Sequence, residues 1–119
     1  MIGAGAVGGT IGGRLHEAGR DVVLVARGAH LQVLRTRGLQ LDEPGRSRVL
    51  RIPATATPGE VDWSPDDVVV MATKTQASAD LLDAVADAAP DVPVVCAQNG
   101  VANERMAAAR FAHVLGICV

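Results

Sequence analysis

A chain of 119 residues, 49% of them hydrophobic, is long enough to bury a core and fits a single domain. Its formal net charge of −2 and pI near 5.8 exclude the basic stripe of an electrostatic nucleic-acid binder. The longest apolar runs, Val22–Ala26 and Val68–Ala72, are too short to span a bilayer, so no membrane segment is expected, and the N-terminus lacks the basic-then-apolar order of a signal peptide.

The chain opens on "MIGAGAVGG". The run Gly3-Ala4-Gly5-Ala6-Val7-Gly8 has the spacing G-x-G-x-x-G, and Val7, Ile11, Leu15 and Ala18 follow at helical spacing with Gly19 as a stop. Gly8 and Gly12 add a smooth stripe on which that helix can lie close against a sheet. "DVVLVA" (Asp21–Ala26) is a continuous apolar run, the mark of a strand buried on both faces. His30–Gly38 reads as a short helix ended by glycine. Leu39–Leu41 and Arg48–Ile52 flank the turn cluster "DEPGRS" and predict a hairpin. Pro53–Pro65 is expected as a connecting loop or weak strand.

"DDVVVMAT" (Asp66–Thr73) is a second buried strand, and Gln76–Ala89 an amphipathic helix through Leu81, Leu82, Val85, Ala86 and Ala89. Val92–Ala97 is a further strand. Asn103–Phe111 is a short helix opened by an asparagine cap, and His113–Val119 a last strand. Strands alternating with helices predict an α/β fold, a Rossmann-type doubly wound, mainly parallel sheet covered on both faces. A βαβ unit places a full strand before the glycines, so Met1–Ile2 reads as a truncated first strand. Both ends are expected to be clipped, and the chain alone to be marginally stable. Cys96 and Cys118 lie in apolar stretches without metal or redox spacing. Both are expected as buried free thiols in a reducing, cytoplasmic compartment.

The chemistry gathers at strand ends. Gly3 permits a tight turn, Gly5 lets the backbone approach a pyrophosphate at the helix N-terminus, and Gly8 lets helix and strand pack closely. An NAD site places a carboxylate at the end of the second strand, about twenty residues on. This chain has Arg27 there and no acid until Asp42, which fits the 2′-phosphate of NADP. Lys74, the only lysine beside ten arginines, follows a strand in "MATKTQ", and Asn99 follows the next in "AQNGV". Locally, Lys74 reads equally as a solvated loop lysine and Asn99 as a turn-forming Asn-Gly. His16, His30 and His113 are read as structural or surface residues, and no metal cluster or nucleophile–base pair stands out.

Taken together, "GAGAVGGTIGGRLHEAGRDVVLVARGAHLQVLRTRGLQL", "MATKTQ" and "AQNGV", in that order and spacing, resemble the N-terminal half of the ketopantoate reductases (2-dehydropantoate 2-reductases). The resemblance covers essentially the whole chain, as one NADP-binding domain over residues 1–119. It implies an NADPH-dependent reduction of 2-dehydropantoate, a small 2-oxo acid, to pantoate on the route to pantothenate and coenzyme A. By position, Gly3, Ala4, Gly5, Ala6, Val7 and Gly8 would cradle the pyrophosphate and Arg27 the 2′-phosphate. Lys74 would contact the cofactor, and Asn99 the nicotinamide ribose and the substrate. The family's C-terminal helical domain, with its catalytic lysine, has no counterpart in these residues, so no catalytic residue is assigned. The resemblance also allows a homodimer of the full-length protein. A non-enzymatic NADP-sensing module, or a related dehydrogenase with another 2-oxo or 3-hydroxy substrate, stays open beside it.

Overall fold

Continuous apolar runs leave neither face of a strand fit for water, and the chain covers both. The computed structural model describes residues 1–119. In chain order it contains α1 (Ala6–Glu17), β1 (Leu24–Val25), α2 (Gly28–Thr36), β2 (Leu39–Glu43), β3 (Arg46–Leu50), β4 (Ala54–Thr55), β5 (Val69–Met71), α3 (Ser78–Ala88), β6 (Val94–Cys96), α4 (Ala102–Ala108) and β7 (Val114–Gly116). Single 3₁₀ turns at Pro58–Glu60 and Thr75–Ala77 precede β5 and α3.

The main sheet is parallel throughout, in the order β4, β1, the Met1–Gly3 segment, β5, β6, β7. Met1–Gly3 occupies the centre: Ile2 bridges Val25 on one side and Met71 on the other. Its N–H donates to Val70 O at 2.8 Å, its carbonyl accepts from Ala72 at 2.8 Å, and Gly3 N–H donates to Val25 O at 3.0 Å. Side chains alternate between faces along each strand. Val25 therefore joins Ile2, Met71, Val94, Leu82, Val85 and Phe111 in one core cluster. Leu24 and Ala26 join Leu31, Leu34, Leu39 and Leu41 in the other. Leu24 and Met71 are fully buried, each worth about 1.5–3 kcal/mol.

The hairpin β2–β3 stands apart as an antiparallel pair, with Leu39 opposite Leu50 and Glu43 opposite Arg46. Gly45, at φ +76°, makes its turn. Leu39 and Leu41 face inward beneath α1. An ion cluster fastens the same contact. Arg48 on β3 pairs with Glu17 at the end of α1 and with Glu43 at 2.8 Å, and Arg14 pairs with both carboxylates. The Arg48 guanidinium, with Arg14 adding to it, brings the Glu17 carboxyl down to about 2.

Three features depart from the sequence reading. The buried face of α1 is Gly8, Gly9, Gly12 and Gly13, while Leu15 on the expected apolar stripe is 39% exposed. The glycines win because they let the helix backbone reach the sheet and hairpin: a Cβ on Gly13 would lie 2.5 Å from Leu41 Cδ1. Within Pro53–Pro65, expected as a connecting loop or weak strand, β4 is a two-residue parallel edge strand on β1, within that expectation. Asn103 is not a helix cap. Val101 caps α4, and Asn103 lies inside the helix with its side chain buried. Cys96 is buried as expected, but Cys118 is exposed, because β7 is an edge strand and Cys118 lies beyond its end.

A Cβ on Gly8 would fall 1.9 Å from Gly3 O and 2.9 Å from Ala72 Cβ, and backbone cannot move aside as a flexible side chain can. Gly8→Ala is expected to cost about 3 kcal/mol or more. An unchanged midpoint in urea would contradict this packing. Glu17 holds its proton less tightly in the fold than in the unfolded chain. Its contribution is thus present above its ordinary value of 4.5 and is lost as pH falls toward about 2. Glu17→Gln should flatten the fall in stability over that window, read from denaturation midpoints at successive pH values.

Candidate functional site

Because all strands of the main sheet run the same way, the loops leaving Ile2, β1, β4, β5 and β6 meet on one edge. Ligands of open α/β sheets bind at this carboxyl edge. The loop from Ile2 carries the glycines. Gly3 turns with φ +91°, and a Cβ there would lie 2.7 Å from Thr73 Cγ2. Ala4 is buried, and Gly5 caps α1 in an extended conformation with no side-chain hydrogen bond. A Cβ on Gly5 would meet nothing within 4 Å, so this face of the loop is open.

The N–H groups of Ala6, Val7 and Gly8 donate to no other group of the chain, the usual state of a first helical turn. The first turn of α1 holds no acidic side chain, and its last turn carries Arg14 and His16. The positive end of the helix dipole therefore stands unneutralised at the open face.

Arg27 follows β1 and caps α2. It is exposed, and its guanidinium makes no ion pair or hydrogen bond within the chain. One turn on, His30 Nε2 lies 2.8 Å from Ala4 O. A carbonyl only accepts, so Nε2 carries the proton and donates. This bond ties the glycine loop to α2. It also holds the Ala4–Gly5 peptide with its N–H directed opposite the bonded carbonyl, as a trans peptide requires. Gly3, Ala4, Ala26, Arg27, His30 and Thr73 help to line a hollow of about 150 Å³.

Across the loop lies a second cleft of about 410 Å³, lined by Val7, Thr73, Lys74, Gln98 and Asn99 among others. Lys74 and Asn99 are exposed, with side chains that bond to nothing in the chain, and Gly100 (φ +93°) turns the backbone directly after Asn99. Thr73 is a wall of both hollows. The structure therefore sets Arg27 on one side of the glycine loop and Lys74 with Asn99 on the other. Burial, with the Glu104 carboxylate adding to it, pushes the Cys96 thiol at the end of β6 up, which holds it in the unreactive thiol form. No three His, Cys, Asp or Glu side chains are grouped so as to hold a metal ion, and no helix is long and apolar enough to cross a membrane.

The sequence reading passed over His30, although i, i+3 spacing from Arg27 sets both at the start of one helix. Thr73, Gln98 and Ser78 gave no signal, and Asn103 read as a helix cap, since burial of a polar side chain is a tertiary fact.

A parallel sheet covered on both faces, with a glycine loop leading from its central segment into a helix N-terminus, defines a Rossmann-type domain. Comparison with known proteins narrows this. The family model described as ketopantoate reductase PanE/ApbA matches residues 1–119. A 2-dehydropantoate 2-reductase of Mesorhizobium japonicum is 40% identical over 103 residues, 85% of this chain and 31% of that protein. Among solved structures, a PanE/ApbA family ketopantoate reductase from Ralstonia eutropha superposes with a TM-score of 0.83 at 31% identity, over 97% of this chain and 38% of that one. A D-mandelate dehydrogenase solved with NADH and anilino(oxo)acetate gives 0.81 at 28% identity, over 95% and 38%. The chain belongs to the ketopantoate reductase PanE/ApbA family of oxidoreductases, and it spans about a third of the length of the curated relatives it matches.

The contrast between the two thiols is directly measurable. A maleimide should modify Cys118 in the folded chain and reach Cys96 only on unfolding, as read by mass spectrometry. Equal labelling of both under native conditions would refute the burial of Cys96.

Proposed function

We propose that the chain is the NADP(H)-binding domain, residues 1–119, of an enzyme that reduces 2-dehydropantoate to pantoate, working in the cytoplasm with a C-terminal helical domain. The observation that carries this reading is the uncommitted Arg27 guanidinium at the end of β1. It stands where an NAD site has a carboxylate, beside a glycine loop with free N–H groups. The next acid, Asp42, is spent on the hairpin, where it accepts hydrogen bonds from Ser47 and Gln40.

In this reading Gly3, Ala4, Gly5, Ala6, Val7 and Gly8 take the pyrophosphate against the N-terminus of α1. The open face at Gly5 leaves room for it. Arg27 meets the 2′-phosphate. Lys74 binds the cofactor from the far side of the loop, and Asn99 offers an amide to the nicotinamide ribose and to the 2-oxo acid. The bound nicotinamide supplies the hydride. These residues orient it, and the proton for the developing alkoxide comes from an acid on the helical domain. Lys74 is thus a binding residue and not the proton donor.

The likeness to a D-mandelate dehydrogenase solved with NADH favours one second reading, a related dehydrogenase acting on another 2-oxo or 2-hydroxy acid. Cofactor choice tests the two. A charge-assisted bond from Arg27 to the 2′-phosphate is worth about 1.5–3 kcal/mol, a preference for NADPH over NADH of about ten- to a hundredfold. Titrations of both cofactors should show this preference, and Arg27→Ala should abolish it while leaving NADH affinity unchanged. Wild-type chain that binds NADH as tightly as NADPH would overturn the assignment and favour the second reading.

A further inference from the structure

The chain buries only three polar or charged side chains, Ser78, Gln98 and Asn103, at 0%, 8% and 1% exposure. All three lie together, directly behind Lys74 and Asn99. Gln98 Nε2 donates to Thr73 O at 2.6 Å and to Ser78 Oγ at 2.7 Å. Ser78 Oγ in turn approaches Asn103 Oδ1 at 3.4 Å. Asn103 Nδ2 donates to Asn99 O at 3.2 Å and to Thr75 Oγ1 at 3.3 Å.

The direction of this relay is fixed at both ends. Thr73 O and Asn99 O are carbonyls that only accept, so each amide must turn its NH₂ toward them. Ser78, accepting from Gln98, is left to donate to Asn103. The relay spans from the residue before Lys74 to the backbone of Asn99 itself, and so sets the loop after β5 against the loop after β6.

Stability does not require it. Burying amides and hydroxyls is at best balanced by the hydrogen bonds they then make, and apolar groups of the same shape serve a core as well. A satisfied polar network is rigid and directional where an apolar contact is not. Elsewhere this core is apolar, and the exception coincides with the two loops that form the larger cleft.

We propose that Asn103, through Ser78 and Gln98, is a positioning residue. It holds Lys74 and Asn99 in the register that receives the nicotinamide half of the dinucleotide. This rests on the NADP(H) reading above. The roles of the two halves then separate. The adenosine half is served by Arg27 and the glycine loop, to which the relay makes no hydrogen bond; it approaches them only at Thr73, whose carbonyl it holds.

The test is a pair of titrations on the chain, with NADPH and with adenosine 2′,5′-bisphosphate, which lacks the nicotinamide half. Asn103→Leu keeps the volume and breaks the relay. It should weaken NADPH about tenfold and leave the bisphosphate unchanged. Thr75→Val, at an exposed position, removes one link without disturbing the core. It should weaken NADPH about threefold and again spare the bisphosphate, and it decides the matter if Asn103→Leu does not fold. Wild-type NADPH affinity in the folded variants, or equal weakening of both ligands, would overturn the proposal. Failure of the unaltered chain to bind either ligand would instead sink the cofactor reading, and the positioning role with it.

Discussion

The two halves of the main sheet are hydrogen-bonded to each other only through Met1–Gly3. β4 and β1 lie on one side, β5, β6 and β7 on the other, and every ladder bond between them passes through this segment. Ile2, 1% exposed, is consequently both a core side chain and the joint of the sheet. The glycine loop leaves directly from this joint. Its position is set from both sides at once, by Val25 through Gly3 and by Ala72 through Ile2. A loop held so closely at its root, and tied to α2 by the single bond from His30, can present a fixed row of N–H groups.

The helix that follows is built against its own propensity. Gly8, Gly9, Gly12 and Gly13 within α1 cost about 3–4 kcal/mol of intrinsic helix stability relative to alanine. What offsets them is proximity: with no Cβ on that face, the helix lies against Leu24, Leu39 and Leu41. The hairpin thus serves the site indirectly. It covers the glycine face and, through Arg48, Glu17 and Glu43, anchors the far end of the helix whose near end faces the cleft.

Sheet direction and strand count were legible because long β-branched runs have few other uses. The same regularity placed Arg27, Lys74 and Asn99 at one edge, since in a parallel sheet every residue just past a strand lies there. Less was legible where one residue type serves two ends. Val7, Ile11 and Leu15 form the obvious apolar stripe of α1, yet the glycines beside them make the closer contact. Asn103 carries a cap's side chain at a helix start, but its amide bonds across to Asn99 and Thr75 and not to its own backbone. His30 reads from sequence only as a structural or surface histidine, and its partner, Ala4 O, comes within reach only on folding.

The glycine loop gathers its positive potential from peptide dipoles and from no ionisable side chain. Such a charge has no proton to lose and no flexible arm to order. What the loop demands of residues 3–8 is shape alone. Substitutions there act by displacing backbone or blocking approach, while the strength of the field is set by the orientation of α1.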